Sequence, residues 1–373
     1  MSTIEAVTIP KWGMTMTEGT IISWLVREGD VIERGQEIVE IETTKLSNVV
    51  EAAAEGILRR IVLTEGTTAP VGALAAVIAG ESASDEEIAA FVASYADRQG
   101  DGLSSQSAGA ASRTIKVSGG QINLVEAGSE GSETIILLHG FGGDLKTWMF
   151  NQEELAAVGR VIAIDLPGHG GSSAIAAGDP VADILVRVEA ALDTVAPGKL
   201  HLVGHSFGAG VAALLAGRRP DRVSSLSLIA PVGLGKTMNR DFLVDFVAAE
   251  RRRPLQNVLE RLFADPSKIT SDMVEETLKS KRLEGVPECL SQLADAIADQ
   301  TGQRISVGDT LADLTCPVLL IWGDLDKIVP LPQAGEVPAN ARLQTIANAG
   351  HMPQMEAASA VNDAIVENIR RAK

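Results

Sequence analysis

Cysteine is scarce in this 373-residue chain, which carries only Cys289 and Cys316. Two cysteines with neither metal-ligand spacing nor a disulfide framework fit a reducing compartment. Positive charge is also short: 32 Lys and Arg stand against 49 Asp and Glu, a net charge of −17. That balance argues against nucleic acid and against anionic membrane surfaces as partners, since both call for basic patches. No apolar run is long enough to cross a bilayer. The N-terminus has no basic stretch leading into an apolar run of the secretory kind. The expectation is a cytoplasmic protein. What remains is ordinary, with 45% hydrophobic and 22% charged residues, and it suits globular domains. The length leaves room for two of them and a linker.

The first eighty residues repeat themselves. Glu18-Gly19 matches Glu55-Gly56, Glu28-Gly29 matches Glu65-Gly66, and Gly35 matches Gly72, each 37 residues apart. Between the glycines run β-rich stretches, Ile21 to Val26 against Ile57 to Leu63, then Glu37 to Ile41 against Leu74 to Ile78. A fixed-period repeat of this size is one structural unit used twice. Two such β units make a small sandwich or flattened barrel with glycines at the turns. Lys45 falls between the repeats, after a strand at Ile38 to Glu42 and before one at Asn48 to Ala52. That order places it at an exposed hairpin tip.

Residues 3 to 79 resemble the lipoyl domain of 2-oxo acid dehydrogenase complexes. The likeness runs through Pro10 to Gly19, Gly29-Asp30, Gly35, Glu42 to Lys45, Glu51-Ala52 and Gly56. It implies lipoate attached covalently to Lys45. Biotinyl domains share the fold but flank their lysine with methionines, whereas Thr44 and Leu46 flank it here. Thr44 also departs from the Asp that many lipoyl domains carry at that position.

Residues 81 to 113 read as a linker. Ser84 and Glu87 have the spacing of a capping box, and Ile88, Phe91, Val92 and Tyr95 follow with helical spacing. This short helix is expected to pack on one of the chain's own domains, with docking to a partner as the functional alternative. Gly100 to Ser112 is rich in Gly, Ser and Ala, a coil that spans roughly 20 Å. No room is left for the small subunit-binding domain that follows the lipoyl domain in the familiar acyltransferase components.

From Thr114 onward, short apolar strands alternate with helices. Candidate strands are Ile135 to Leu138, Val161 to Ile164, Leu200 to Val203, Ser225 to Ile229, Val318 to Trp322 and Arg342 to Ile346. This pattern implies a mostly parallel sheet covered on both faces, with the active site at the carboxyl ends of its strands. Ser206 lies at such an end, in Gly204-His205-Ser206-Phe207-Gly208, between a strand and the helix expected over Ala209 to Ala216. A sharp strand-to-helix turn needs small residues on either side of a nucleophile, and the two glycines supply them. An acid and a histidine follow in the order of a Ser–His–Asp relay. His351, in Gly-His-Met-Pro, would take the serine proton. Asp324 and Asp326 both follow the strand ending at Trp322, and Asp326 is chosen because it sits further out on the loop, before Pro330. Two backbone amides are expected to form the oxyanion hole, those of Phe207 and of Phe141 in His139-Gly140-Phe141-Gly142. His139, His169, His201 and His205 are assigned to packing and loop ordering, and Cys316 to a buried inert thiol.

Residues 122 to 373 resemble the α/β-hydrolase fold, in which the helical stretch 233 to 305 would be the cap over the substrate pocket. Arg251-Arg252-Arg253 in that stretch reads as a solvated helix face, with contact to a phosphate-bearing acceptor as the functional alternative. The fold class is therefore multidomain: an all-β lipoyl-type flattened barrel or sandwich over 1–80, a linker over 81–113, and an α/β-hydrolase fold over 114–373. This arrangement resembles the dihydrolipoamide acetyltransferase components of acetoin dehydrogenase complexes. The His-x-x-x-Asp-Gly motif of the usual transferase domain is missing, and the hydrolase-type domain stands in its place. The resemblance implies transfer of acetyl from lipoyl-Lys45 to coenzyme A. It implies as partners a thiamine-diphosphate-dependent acetoin dehydrogenase component and dihydrolipoamide dehydrogenase. Two other readings stay open, a serine thioesterase or esterase fused to a carrier, and a carrier and scaffold subunit. No metal is expected.

Overall fold

The computed structural model describes residues 4–10, 18–42, 47–52, 54–80, 83–102, 112–129, 133–331 and 337–372. The chain divides into two compact units, Met1–Gly109 and Ala110–Lys373.

The first unit is built from eight short strands: β1 (Ile4–Thr8), β2 (Glu18–Trp24), β3 (Val31–Ile32), β4 (Glu37–Glu42), β5 (Ser47–Glu51), β6 (Gly56–Ile61), β7 (Thr68–Pro70) and β8 (Leu74–Ala79). They form two four-stranded sheets, ordered β1-β8-β6-β3 and β5-β4-β2-β7. The 37-residue period explains this arrangement. It carries β3 onto β7 and β4 onto β8, so each sheet mixes strands of both repeats and the two orders correspond strand for strand. The turn glycines follow the same symmetry. Gly29 and Gly66, and Gly35 and Gly72, all sit at positive φ between 79° and 94°, a region open to glycine and costly for side chains with a Cβ. Neither half could bury its apolar face alone, and between the sheets Ile21, Ile38, Ile41, Leu58 and Ile78 form one shared core.

The strand β8 is buried along all six residues. Its inner face joins that core, and Leu74, Val77 and Ala79 face outward against Ala83 and Ile88. Ile88 belongs to α1 (Asp85–Gly102), with Phe91 and Val92 packed beside it. The capping box forms: Ser84 N–H donates to Glu87 Oε2 at 2.8 Å, and Glu87 N–H donates back to Ser84 Oγ at 3.2 Å. Arg59 ties the same turn down, pairing with Asp85 at 2.7 Å and donating to the Ala83 carbonyl at 2.9 Å. The helix thus covers the outside of its own unit's sheet. It also continues through Gly100–Gly102, where the glycine content had suggested coil.

The second unit is an eight-stranded sheet in the order β18-β17-β14-β13-β11-β12-β10-β9. Its strands are β9 (Arg113–Val117), β10 (Gly120–Ala127), β11 (Glu133–Leu138), β12 (Arg160–Ile164), β13 (Lys199–His205), β14 (Val223–Ile229), β17 (Val318–Gly323) and β18 (Ala341–Ile346), while β15 (Ala298–Asp299) and β16 (Gly302–Gln303) pair only with each other. Six strands run parallel, and β9 and β10 add an antiparallel edge. Alternate residues point to opposite faces. Ile136, Leu138, Leu202 and Leu228 enter a core with α3 (Pro180–Val195) and α4 (Phe207–Arg218). Ile135, Leu137, Val203 and Ile321 enter a second core with α2 (Gln152–Ala156) and α11 (Ala358–Arg370). Between β14 and β17 lie α5 (Arg240–Ala248), α6 (Arg252–Leu259), α7 (Ser271–Lys281), α8 (Val286–Ile297) and α9 (Gly308–Asp313). A short α10 (Pro353–Glu356) precedes α11. No helix among the described residues is long and apolar enough to cross a membrane.

The packing of α1 makes a local prediction. Ile88 is 3% exposed, and Ile88→Ala should lower the stability of the first unit by about 2–4 kcal/mol. Hydrogen exchange of the β8 amides should then accelerate while that of the β13 amides is unchanged. Unaltered β8 exchange would contradict the packing described.

Candidate active site

Ser206 is set by the collision of two elements. The strand β13 ends at His205, and α4 begins at Phe207. Ser206 makes the turn at φ 53° and ψ −117°, a conformation that strains any residue with a Cβ. Neighbouring groups hold it there: its N–H donates to Ile229 at 2.8 Å, and its carbonyl accepts from Val232 at 3.1 Å. Both flanking glycines are sterically required. A Cβ on Gly208 would lie 2.2 Å from the His139 carbonyl oxygen, and one on Gly204 would lie 2.5 Å from Ala209 Cα.

The structure brings Ser206, His351 and Asp326 together. Ser206 Oγ and His351 Nε2 are 2.9 Å apart, and His351 Nδ1 and Asp326 Oδ2 are 2.8 Å apart. The other carboxylate oxygen of Asp326 accepts from the amides of Ile328 and Val329 at 2.8 and 3.0 Å. An acid held by two amides orients the imidazole with Nδ1–H toward itself, leaving Nε2 to accept the serine proton. Asp324 is exposed and does not reach His351; its N–H donates to Ile346.

The loop after β11 lies against the serine. A Cβ on Gly140 would come within 3.1 Å of Ser206 Cβ, so the peptide leading into Phe141 borders the nucleophile. The amide of Phe207 lies in the first turn of α4, where helix N–H groups have no partner within the helix. Two buried histidines fix this loop. His139 Nε2 accepts from Leu166 N–H at 2.9 Å, and His169 Nε2 accepts from Gly142 N–H at 3.1 Å. Burial, with help from neighbouring His139, pushes His169 down to about 3, so the ring stays an acceptor at neutral pH. His205 is likewise held well below its usual range, by burial and then by His351, and its Nε2 lies 2.8 Å from the His351 carbonyl.

Two anchoring carboxylates escaped the sequence reading. Asp165 accepts from Leu145 N–H at 2.7 Å and Gly171 N–H at 2.8 Å, joining the loops after β11 and β12. Glu356 accepts from Gly350 N–H at 2.7 Å and Ala264 N–H at 2.8 Å, joining the histidine loop to the helical segment. Asp165 could have been noticed in its Asp-Leu-Pro-Gly-His-Gly string, whereas Glu356 has no local signal. A second Ser–His–acid cluster also exists: His201 Nδ1 lies 2.8 Å from Ser225 Oγ, and His201 Nε2 lies 3.1 Å from Glu133. It sits toward the amino ends of the strands, with Ser225 inside β14 in register with His201. The ladder takes up the backbone there, so no turn exposes that hydroxyl to an acyl group.

Lys45 and its neighbours 43–46 lie outside the described residues. The strands on either side, β4 and β5, pair down to Glu42 and Ser47.

The strain at Ser206 can be measured. Ser206→Ala and Ser206→Gly both lose the hydroxyl, but glycine alone accepts the positive φ. Ser206→Gly should be the more stable by about 1 kcal/mol in urea unfolding, the reverse of the usual order. Equal or inverted stabilities would mean that the turn is not strained.

Comparison with known proteins agrees with this division of the chain. Residues 133–358 match the alpha/beta hydrolase fold family, and residues 5–78 match the biotin/lipoyl family described as biotin-requiring enzyme. A dihydrolipoyllysine-residue acetyltransferase component of an acetoin cleaving system from Pseudomonas putida is 45% identical over 100% of both chains. A protein of the same description from Cupriavidus necator is 41% identical over 96% of both. Among solved structures, a meta-cleavage product hydrolase from Pseudomonas fluorescens IP01 superposes with a TM-score of 0.63 at 23% identity, covering 70% of this chain and 98% of that one, a likeness of fold alone. The chain belongs to the family of acetyltransferase components of acetoin cleaving systems, in which a lipoyl-type domain is joined to an α/β-hydrolase fold.

Proposed function

We propose that this chain is the acetyltransferase of an acetoin cleaving multienzyme system, passing an acetyl group from a thioester carried on Lys45 to coenzyme A. The observation that carries the reading is the hydrogen-bonded Ser206–His351–Asp326 relay, in a chain that matches two such components almost end to end. The described residues fit a lysyl-attached carrier: the β4–β5 ladder ends at the Glu42–Ser47 pair, directly on either side of the segment holding Lys45, and β5 is an edge strand. When attached, the lipoyl group supplies the thiol on which the acyl group travels.

The proposed roles follow from the geometry. Ser206 Oγ attacks the thioester carbonyl as its proton passes to His351 Nε2. Asp326 holds the tautomer and stabilises the imidazolium. The amides of Phe141 and Phe207 take the developing oxyanion. The carbon–sulfur bond breaks, and His351 returns the proton to the departing thiolate. An acceptor thiol then attacks the serine ester, its proton goes to His351, and Ser206 Oγ leaves and is reprotonated. Covalent relay divides the transfer into two displacements of ordinary difficulty. Ser206 is 7% exposed and His351 2%, so the relay is enclosed by the protein. The reading brings with it a cytoplasmic setting, a thiamine-diphosphate enzyme to load the carrier, and dihydrolipoamide dehydrogenase to reoxidise it. The same relay geometry is that of a hydrolase, which keeps a thioesterase as the competing reading.

Product partition separates the two. With S-acetyl-dihydrolipoamide and coenzyme A, the protein should form mainly acetyl-coenzyme A; acetate in equal amount with or without coenzyme A would establish a hydrolase. Ser206→Ala should lower the turnover number at least ~10³-fold, and Asp326→Asn by a large but no greater factor. Undiminished transfer by Ser206→Ala would exclude the serine ester.

A further inference from the structure

A cation lies buried close to the oxyanion loop without a carboxylate to balance it. Lys281, the last residue of α7, is 8% exposed. Among the described residues it makes no ion pair. Its ammonium donates instead to the carbonyls of Phe246 and, at 3.3 Å, Val247, in the last turn of α5. Those carbonyls lie at the open end of the helix, where the Phe246 carbonyl accepts only a long bond of 3.3 Å from the capping Ala249 N–H; they carry the helix's negative end and attract a cation. The same ammonium stands 4.5 Å from the centroid of the Phe246 ring, within cation–π range.

Phe246 connects this cation to the site. Its ring packs edge-on against Phe141, with centroids 5.5 Å apart. It also fills the space above Gly142 so closely that a Cβ there would lie 2.4 Å from the ring. The opposite side of that loop borders Ser206 through Gly140 and is tied to His169 through Gly142 N–H. Phe246 is therefore the wall that fixes how far the Phe141–Gly142 backbone can retreat from the serine.

We propose that Lys281 is a positioning residue for acyl transfer: its ammonium locks the last turn of α5 and, through Phe246, sets the distance between the Phe141 amide and Ser206. The proposal rests on the reading of Phe141 as an oxyanion donor. Lys281 touches neither substrate nor serine and acts only through that aromatic pair.

The charge is sensitive to pH in a useful direction. Burial pulls Lys281 down to about 8, against a smaller opposing pull from Glu250. The other charged groups around it are engaged elsewhere or exposed. Asp245 of α5 pairs with Arg261 at 2.7 Å, and Glu275 of α7 pairs with Arg252 of α6 at 2.9 Å. Glu276 pairs with Lys146 and Lys279, while Arg282 and Glu288 are exposed. As pH rises through about 8 the positioning charge is lost, so turnover should fall. The linkage to stability has the opposite sign: a lysine with a depressed folded-state value destabilises the fold while charged, and this cost is relieved as pH rises toward the unfolded value. Activity and this residue's contribution to stability therefore move apart, which a purely structural lysine would not produce.

The test uses the full chain and a chromogenic acetate ester, so that it does not depend on coenzyme A being the acceptor. Wild type should lose several-fold in kcat between pH 7 and 9.5 with little change in KM and with its near-ultraviolet circular dichroism intact. Lys281→Met should start about 10-fold lower in kcat and show no such fall. Lys281→Arg should keep most of the activity and stay flat to higher pH. A wild-type kcat that holds to pH 9.5 would overturn the proposal, as would a Lys281→Met variant with the wild-type kcat and profile. A Lys281→Met that fails to fold leaves the wild-type and Lys281→Arg profiles to decide. Failure of transfer to coenzyme A, with these ester profiles as expected, would overturn the transferase reading and leave the role of Lys281 standing.

Discussion

The second unit is organised around one strained turn. Ser206 occupies a backbone conformation that its own side chain disfavours, and it persists because everything around it is already fixed. The strand β13 delivers it, α4 carries the chain away, and the Gly208 backbone approaches the carbonyls of Leu138 and His139 at a distance no side chain would allow. Strain of this kind costs of order 1–3 kcal/mol and survives only where the surroundings overdetermine it. The benefit is positional: the hydroxyl stands clear of the strand end, next to the first helical amide of α4.

Around that turn the protein confines charge to one place. His139, His169 and His205 are buried, accept or donate one hydrogen bond at each key position, and order loops; burial holds the latter two neutral. Only His351 is coupled directly to a carboxylate at the serine, through a bond 2.8 Å long to a side chain of Asp326 that is itself fully buried. An imidazolium on His169 or His205 would repel one on His351, and burial of those two rings disfavours that competing charge. Asp165 and Glu356 act through backbone amides, fixing the loop after β11 and the loop that carries His351.

The two Ser–His–acid clusters illustrate how little composition decides. Ser225, His201 and Glu133 meet at hydrogen-bonding distances comparable to those of the relay. They differ in backbone, since Ser225 belongs to a ladder and Ser206 to a turn. They also differ in place, one cluster lying toward the amino ends of the strands and the other at the carboxyl ends, where loops of several strands converge. Of the two clusters, only that of Ser206 places its hydroxyl on a turn, clear of the ladder.

Much was legible in the sequence because the relevant physics is local or periodic. The 37-residue repeat dictated two mixed sheets with matched turn glycines, since neither half buries its apolar face alone. The glycines about Ser206, the apolar strand before it and the order of acid and histidine were enough to place the relay, and Ser84 with Glu87 was enough to start α1. Other features depended on distant residues meeting. The choice of Asp326 over Asp324 became a distance only when the loop folded toward His351. The antiparallel edge of β9 and β10 lacks the apolar continuity that marked the inner strands, because an edge strand buries less of itself. Glu356 and Lys281 carry no local signal at all. One acquires its role from the amide of Ala264, the other from the open end of a helix 35 residues away. Sequence by itself determined which local structures could form and which residue types could react. The tertiary structure decided which carboxylate, which serine and which buried cation act together, because burial and hydrogen-bond geometry exist only once the chain has closed around them.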